Sequence, residues 1–403
     1  MQYRIDKKSG EKLSILGLGC MRFPKKRGKI DMEIAESVIM RAIDAGVNYF
    51  DTAYIYAGSE EALGEVLHKN NVREKIFIAT KLPLIFCHSA ADFDKLFEKQ
   101  LSRLKTDYVD YYLMHMLTDR KLWQKLCDWG IREWLDAKKK SGAIKHVGFS
   151  FHGIKDEFLG LLDEYDWEFC QIQYNYANEN YQAGTAGYEK AAQKNIPIII
   201  MEPLLGGKLA TALPKGAAAL FTQKNAELGV NYSSAAWAFR WLWDKEHITV
   251  VLSGMSAVEQ LEENLITADS PLPLTAAEKP VYAQVLDAFN KSYKIPCTGC
   301  SYCMPCPKNV NIPACFSAYN TSFAIGMGAG RQQYMTSSGI TSAQSTRARQ
   351  CVGCGKCETH CPQNIAIRQE LKRVCKRLDP WWFNIGVGIA RAFIGSAQKQ
   401  KST

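Results

Sequence analysis

Between Leu13 and Ala268 the chain alternates short apolar runs with longer stretches in which apolar residues recur at helical spacing. The runs are ILGLG, VNYFDT, KIFIATK, YVDYYLMH, IKHVGFS, FCQIQYN, IPIIIM and ITVVLSG, each five to eight residues long, the length of a buried strand. Mixed-charge segments such as DMEIAESVIMRAIDAG and WGIREWLDAKKKSG separate them and read as helices. Eight strands interleaved with helices predict an α/β fold, a closed parallel (β/α)8 or TIM barrel. A doubly wound open sheet is the alternative. It would usually carry a Gly-x-Gly-x-x-Gly turn after its first strand, and no such turn follows ILGLG. The sequence contains no repeat of solenoid period and no low-complexity tract.

The alternation stops after a helix ending near Tyr293, where Pro296 opens a cysteine-rich stretch. Three parts are therefore expected: a barrel over residues 1–290, a small α-rich module over 291–375 and a basic tail over 376–403. A chain of 403 residues has room for one large domain and a small one, and 47% hydrophobic with 23% charged residues is ordinary for a globular protein. The opening MQYRIDKKSGEKLS is too polar for a signal peptide, and no apolar stretch is long enough to cross a membrane. With cysteines scattered along the chain, a reducing and hence cytoplasmic location is expected. The net charge is +9, but seven Lys and Arg against one Asp lie from Leu371 onward, so the rest is nearly balanced and does not suit a nucleic-acid surface. In the tail, Trp382, Ile385, Ile389 and Phe393 share one helical face, with Asn384 and Arg391 elsewhere. A helix packed across the folded body is expected, with an anionic membrane surface or a partner protein as the alternative.

Eight of the fourteen cysteines fall into two combs, Cys297-Cys300-Cys303-Cys306 and Cys351-Cys354-Cys357-Cys361, each ending in Cys-Pro. Three cysteines at i, i+3 and i+6 let one loop wrap three thiolates around a cubane, while the last reaches across to the neighbouring cluster. Two [4Fe–4S] clusters with crossed ligation are predicted: one on Cys297, Cys300, Cys303 and Cys361, the other on Cys351, Cys354, Cys357 and Cys306. Zinc is the rival, but it favours two Cys-x-x-Cys knuckles over a three-cysteine comb. The first comb has only two residues before its Cys-Pro where the second has three, which alters the reach of Cys306. Cys20, Cys87, Cys127, Cys170, Cys315 and Cys375 read as small apolar residues, with a role for Cys315 open because it follows the first comb closely. The 44 residues between the combs exceed what a minimal ferredoxin needs and are expected to pack on the barrel or to move.

Asp51 ends the second run and Tyr56 lies in the loop behind it; Lys81 ends the third run and His115 the fourth. Side chains at the C-terminal ends of successive strands project into one mouth, where such barrels keep their active sites. A tyrosine near its reference value of about 10 is a poor acid at neutral pH. A neighbouring ammonium favours its phenolate, a carboxylate holds the ammonium in place, and a histidine can orient a carbonyl oxygen. Singly, each has an ordinary reading: Asp51 as a cap, Lys81 as a surface charge, His115 as a satisfied core residue. Together at three successive strand ends they point to protonation of an alkoxide as hydride arrives at carbon.

FDTAYIY, ATK and YLMH resemble the catalytic segments of the aldo/keto reductase family, and LSGMSAVEQLEEN resembles its cofactor-phosphate segment. The likeness spans about residues 13–268. It implies a (β/α)8 barrel, direct binding of NADP or NAD without a Rossmann domain, and a catalytic tetrad at Asp51, Tyr56, Lys81 and His115. Ser150 and Gln171 match positions that hold the nicotinamide carboxamide, Leu204 and Gly206 lie near the pyrophosphate, and Gly254, Met255, Ser256, Gln260, Glu263 and Asn264 match the adenosine end. Small residues at a helix start offer backbone N–H groups to phosphate. Two departures stand out: Gln260 sits where many members carry an arginine for the 2′-phosphate, and Met201 where an aromatic residue often stacks on the nicotinamide. The family's C-terminal substrate loop gives way to the cysteine combs, so specificity does not carry over. Barrel followed by CTGCSYCMPCP and CVGCGKCETHCP resembles the ferredoxin-containing subgroup of the family. The expected activity is NAD(P)H-dependent reduction of a small-molecule carbonyl with Tyr56 as general acid. Hydride carries two electrons and each cluster takes one. An electron-transfer protein exchanging electrons with a ferredoxin or another redox partner is therefore the alternative.

Overall fold

The computed structural model describes residues 1–270, 273–337 and 345–380. The tail residues Trp382, Asn384, Ile385, Ile389, Arg391 and Phe393, and the helix expected from them, lie outside the described residues. The chain forms two compact units: Met1–Leu204 with Ala235–Ala276, and Leu205–Ser234 with the chain from Ala277 on.

The first unit is a closed barrel of eight parallel strands: β1 Leu16–Gly19, β2 Tyr49–Asp51, β3 Phe77–Leu82, β4 Val109–Leu117, β5 Ile144–Phe151, β6 Phe169–Gln173, β7 Ile198–Met201 and β8 Ile248–Ser253. Strand order follows the sequence and closes between β8 and β1. All eight apolar runs became strands because each is buried on both faces. One set of side chains fills the interior with Tyr49, Ala79, Tyr111, Leu113, Phe169, Ile199, Val250 and Leu252. The opposite set faces helices, as Phe149 and Phe151 do on Phe158 of the helix after β5, with ring centroids 5.7 and 5.0 Å apart. An antiparallel hairpin, Tyr3–Ile5 with Lys12–Ser14, precedes β1, and its Asp6 accepts a hydrogen bond from the interior Tyr111 at 3.0 Å. That end of the barrel is closed by packing, which leaves the C-terminal strand ends to build a site.

The second unit is helical. The helix Lys215–Leu228 packs on Lys279–Ser292, with Phe221 and Tyr282 5.9 Å apart, and the helices Ile312–Ala324, Met327–Ser337 and Ile367–Leu378 enclose a core of Ile295, Val310, Phe316, Tyr334, Leu371 and Val374. Buried Asp379 accepts from the Tyr334 hydroxyl (3.2 Å) and pairs with Arg347 (3.3 Å), so its charge is met inside the unit.

Candidate active site and metal centres

At the C-terminal end of β3, Lys81 is 1% exposed and donates to both Asp51 carboxylate oxygens and to the Thr52 carbonyl, all at 2.7 Å. Its three protons are thereby placed. Burial pushes Asp51 up and Lys81 down, and their mutual attraction opposes both shifts. With every ammonium proton accepted, and Gln171 also donating to Asp51 at 3.1 Å, the pair is held as ions. Tyr56 sits in the tight turn that leads from β2 into the helix Ser59–Asn70: its N–H donates to the Ala53 carbonyl, and its own carbonyl accepts from Ser59. The Lys81 ammonium lies 5.2 Å from the Tyr56 ring centroid, and His115 stands edge-on to the same ring at 6.0 Å. The structure thus gathers Asp51, Tyr56, Lys81 and His115. Burial, then the Lys81 charge and His152, hold the His115 imidazole well below its usual range, so it is neutral.

His115 precedes a β-bulge. Met116 has φ of 57°, the register with β5 shifts between Met114 and Leu117, and the Met116 N–H donates to the buried Ser150 hydroxyl at 2.9 Å. On the neighbouring strand Gln171 pairs in register with Ser150. Its amide nitrogen goes to Asp51, and its buried Oε1 has no protein partner. An acceptor left open beside a hydroxyl that still has its proton to donate fits a carboxamide such as that of nicotinamide.

Leu204 lies half-buried three residues past β7, in a stretch where Glu202 and Leu205 both have positive φ. Gly206 belongs to the second unit, where it has φ of 65° and where a Cβ would lie 2.2 Å from the Thr298 carbonyl oxygen. After β8, Gly254 packs against the Arg22 side chain, Met255 is buried, and the helix Val258–Asp269 begins. Gln260 does not reach outward: its Oε1 accepts from the Ser256 N–H at 2.9 Å and lies 3.2 Å from the Ser256 hydroxyl. Asn264 donates to Ser253 at 3.1 Å, and Glu263 is exposed. Arg22 and His152 are mouth residues that sequence reasoning passed over. Both were findable, Arg22 as the cation just after β1 and His152 by its inward parity with Ser150.

In the second unit, Cys297, Cys300, Cys303 and Cys361 line one cavity with Thr298, Ile312 and Phe316. Burial and the thiols of Cys297, Cys300 and Cys361 push Cys303 up to about 12. Cys357 lies among Cys351 and Cys306 and is pushed up to about 11, while Cys354 is exposed. Four thiols around one cavity suit a cluster whose metals each take one cysteine. The two combs repeat one another. A left-handed residue flanks the middle cysteine on each side (Gly299 and Ser301; Gly353 and Gly355), and another follows three residues after the last (Asn309; Asn364). The pattern Cys-x-Gly-Cys-x-x-Cys, then Cys-Pro-x-Asn, then a helix, was visible in the sequence as a repeat. The short gap of the first comb is Met304-Pro305, joined by a cis peptide.

The mouth of the parallel barrel thus holds a buried lysine–carboxylate pair beside a tyrosine and a neutral histidine. A model of the aldo/keto reductase family matches residues 15–278, and a 4Fe-4S dicluster domain model matches 296–366. The chain belongs to the aldo/keto reductase family and carries a C-terminal iron–sulfur domain of the ferredoxin type. An uncharacterised oxidoreductase of Bacillus subtilis, YrpG, is 25% identical over 72% of this chain and 96% of its own length. The NADH-specific methylglyoxal reductase of Escherichia coli is 22% identical over 69% and 96%. Among solved structures, the holo form of an aldo-keto reductase from Bacillus halodurans aligns with a TM-score of 0.58 at 22% identity, covering 71% of this chain and 96% of that one. An aldo-keto reductase from Klebsiella pneumoniae in complex with NADPH gives 0.57 at 20% identity, over 72% and 95%. At these identities the solved structures speak for the fold. No helix among the described residues is long and apolar enough to cross a membrane.

Proposed function

We propose that this oxidoreductase reduces the carbonyl group of a small molecule at the expense of NADPH or NADH, with Tyr56 as general acid. The observation that carries the reading is the buried Lys81–Asp51 pair set against the Tyr56 ring, with His115 edge-on to it. A bound reduced nicotinamide would supply hydride to the carbonyl carbon. Tyr56 gives its phenolic proton to the carbonyl oxygen, so the product is the alcohol. The Lys81 ammonium, fixed by three acceptors, stabilises the charge left on the Tyr56 oxygen through space. His115, neutral, orients the carbonyl oxygen and does not compete as an acid. Gln171 Oε1 and the Ser150 hydroxyl would hold the carboxamide. Leu204 would lie by the pyrophosphate, and Gly254, Met255, Ser256, Gln260, Glu263 and Asn264 by the adenosine end. The names of the Klebsiella and Escherichia coli relatives, one in complex with NADPH and one NADH-specific, support a nicotinamide cofactor and leave both forms open. The cysteine sets would hold two [4Fe–4S] clusters, Cys297, Cys300, Cys303 and Cys361 on one and Cys351, Cys354, Cys357 and Cys306 on the other.

Tyr56→Phe tests this directly. Carbonyl reduction is expected to fall about 10²–10⁴-fold, with the dissociation constant for NADPH, read by fluorescence, nearly unchanged. Activity surviving the change removes Tyr56 from the acid role.

A second reading rests on the second comb. Val352 is 63% exposed beside exposed Cys354. Over residues 345–380, Arg349, Lys356, Arg368, Lys372, Arg373 and Lys376 are exposed, while no acidic residue is. A cluster at such an edge suits electron exchange with an acidic carrier such as a ferredoxin.

A further inference from the structure

The barrel mouth holds a second histidine that the reaction above does not use. His152 follows β5 immediately. Phe149 and Phe151 pack outward on Phe158, so the two-residue period turns Gly148, Ser150 and His152 inward. Its backbone is clamped: the His152 N–H donates to the Leu117 carbonyl at 3.3 Å, and Gly153 lies so close to Thr118 that a Cβ there would sit 1.8 Å from its carbonyl oxygen. These contacts tie the ends of β4 and β5 together and set His152 beside His115. The side chain is only 8% exposed, Gln182 hydrogen-bonds the ring, and the buried Nδ1 has no protein partner. Buried polar atoms are nearly always satisfied, so an imidazole nitrogen enclosed at the barrel mouth without a protein partner asks for one.

We infer that His152 is a substrate-recognition residue whose Nδ1 hydrogen-bonds a hydroxyl one or two carbons from the reacting carbonyl, so that the chain selects hydroxyaldehydes and hydroxyketones over their deoxy analogues. The inference rests on the carbonyl-reductase reading. His115 orients the carbonyl oxygen, and its neighbour is therefore reached by a group on the adjoining carbons. A hydroxyl serves either tautomer of the ring because it both donates and accepts. A carboxylate or phosphate is a poorer match, since the ring is held neutral and brings no countercharge of its own. A substrate lacking the hydroxyl leaves the buried nitrogen unmet, and that penalty is the source of discrimination.

The test compares kcat/KM for glycolaldehyde with acetaldehyde, and for hydroxyacetone with acetone, using NADPH and the anaerobic holoenzyme. The hydroxylated substrate is expected to be favoured about tenfold or more. His152→Leu should bring that ratio near one, and His152→Gln, which keeps a donor and an acceptor, should recover part of it. No preference in the wild-type enzyme, or a preference that survives His152→Leu, overturns the assignment. Calorimetric binding of 1,2-propanediol and 1-propanol to the NADP⁺-loaded protein gives a readout independent of turnover. The diol should bind about tenfold more tightly, and only while His152 is present. Should the wild-type enzyme reduce no carbonyl at all, the reductase reading falls. Equal binding of the two alcohols by the wild-type protein would then separately remove the role of His152.

Discussion

Two imidazoles packed near an ammonium make the active-site residues sensitive to acid. Burial, opposed in part by the Gln182 hydrogen bond and reinforced by Lys81, brings His152 from 6.5 to about 4. His115 is lowered by burial, Lys81 and His152 together. A histidine whose folded value lies below its unfolded one adds stability that is fully present above about pH 6.5 and is lost as pH falls toward the folded value, because the unfolded chain takes up the proton that the folded chain refuses. For His152 the window runs from about 6.5 to about 4. Its contribution is on the order of 3 kcal/mol. The melting temperature of the wild-type protein should therefore drop more steeply between pH 7 and about 4.5 than that of His152→Leu. Parallel curves would mean that the ring is not held neutral. Acid terms from the carboxylates cancel in the comparison, which is why the difference between the two proteins is the quantity to read.

At the level of elements, the chain after β7 is the most conformationally demanding stretch. Glu202, Leu205, Gly206 and Gly207 all have positive φ, between 48° and 90°. Gly206 has two reasons to be glycine, its left-handed backbone and the Thr298 carbonyl in the place of a Cβ. Thr298 stands between Cys297 and Cys300, so Gly206→Ala is expected to cost about 1–3 kcal/mol in the second unit. It should also speed anaerobic iron release to a chelator, since the displaced carbonyl belongs to the first comb. Iron release at the wild-type rate would show that the comb tolerates the shift. None of this was legible beforehand, because the left-handed run and its contact depend on residues more than ninety positions away. What could be read followed from burial. The eight strands announced themselves because both faces of each are covered, and Asp51, Lys81 and His115 because they end such runs. His152 was lost by stopping the fifth run at Ser150. The bulge at Met116 left no local mark, since it is held by the Ser150 hydroxyl of the next strand. The repeat of the two combs was legible but lay hidden behind the difference in their last gaps.

For the molecule as a whole, the proposed hydride transfer would move two electrons at once, whereas each iron–sulfur cluster would take one. The anaerobic protein should contain about eight irons. Adding NADPH without carbonyl substrate is expected to leave the visible absorbance of the clusters unchanged, because hydride moves an electron pair and each cluster takes one electron; bleaching would make them part of the electron path. Unchanged absorbance with cofactor bound and the iron count met would leave them as structural staples or wired to another donor. The basic surface around the second comb concentrates part of the overall +9 charge where a redox carrier would approach. The second unit is assembled from two separated lengths of chain, 205–234 and the chain from Ala277 on, with Phe221 of the first packed on Tyr282 of the second. The iron–sulfur part therefore shares its unit with an internal length of chain. A gene cut before Lys279 would strand the helix Lys215–Leu228 without the apolar partner that covers it, because Tyr282 lies on the later side of the cut. Shuffling or grafting experiments on this architecture have to carry both pieces.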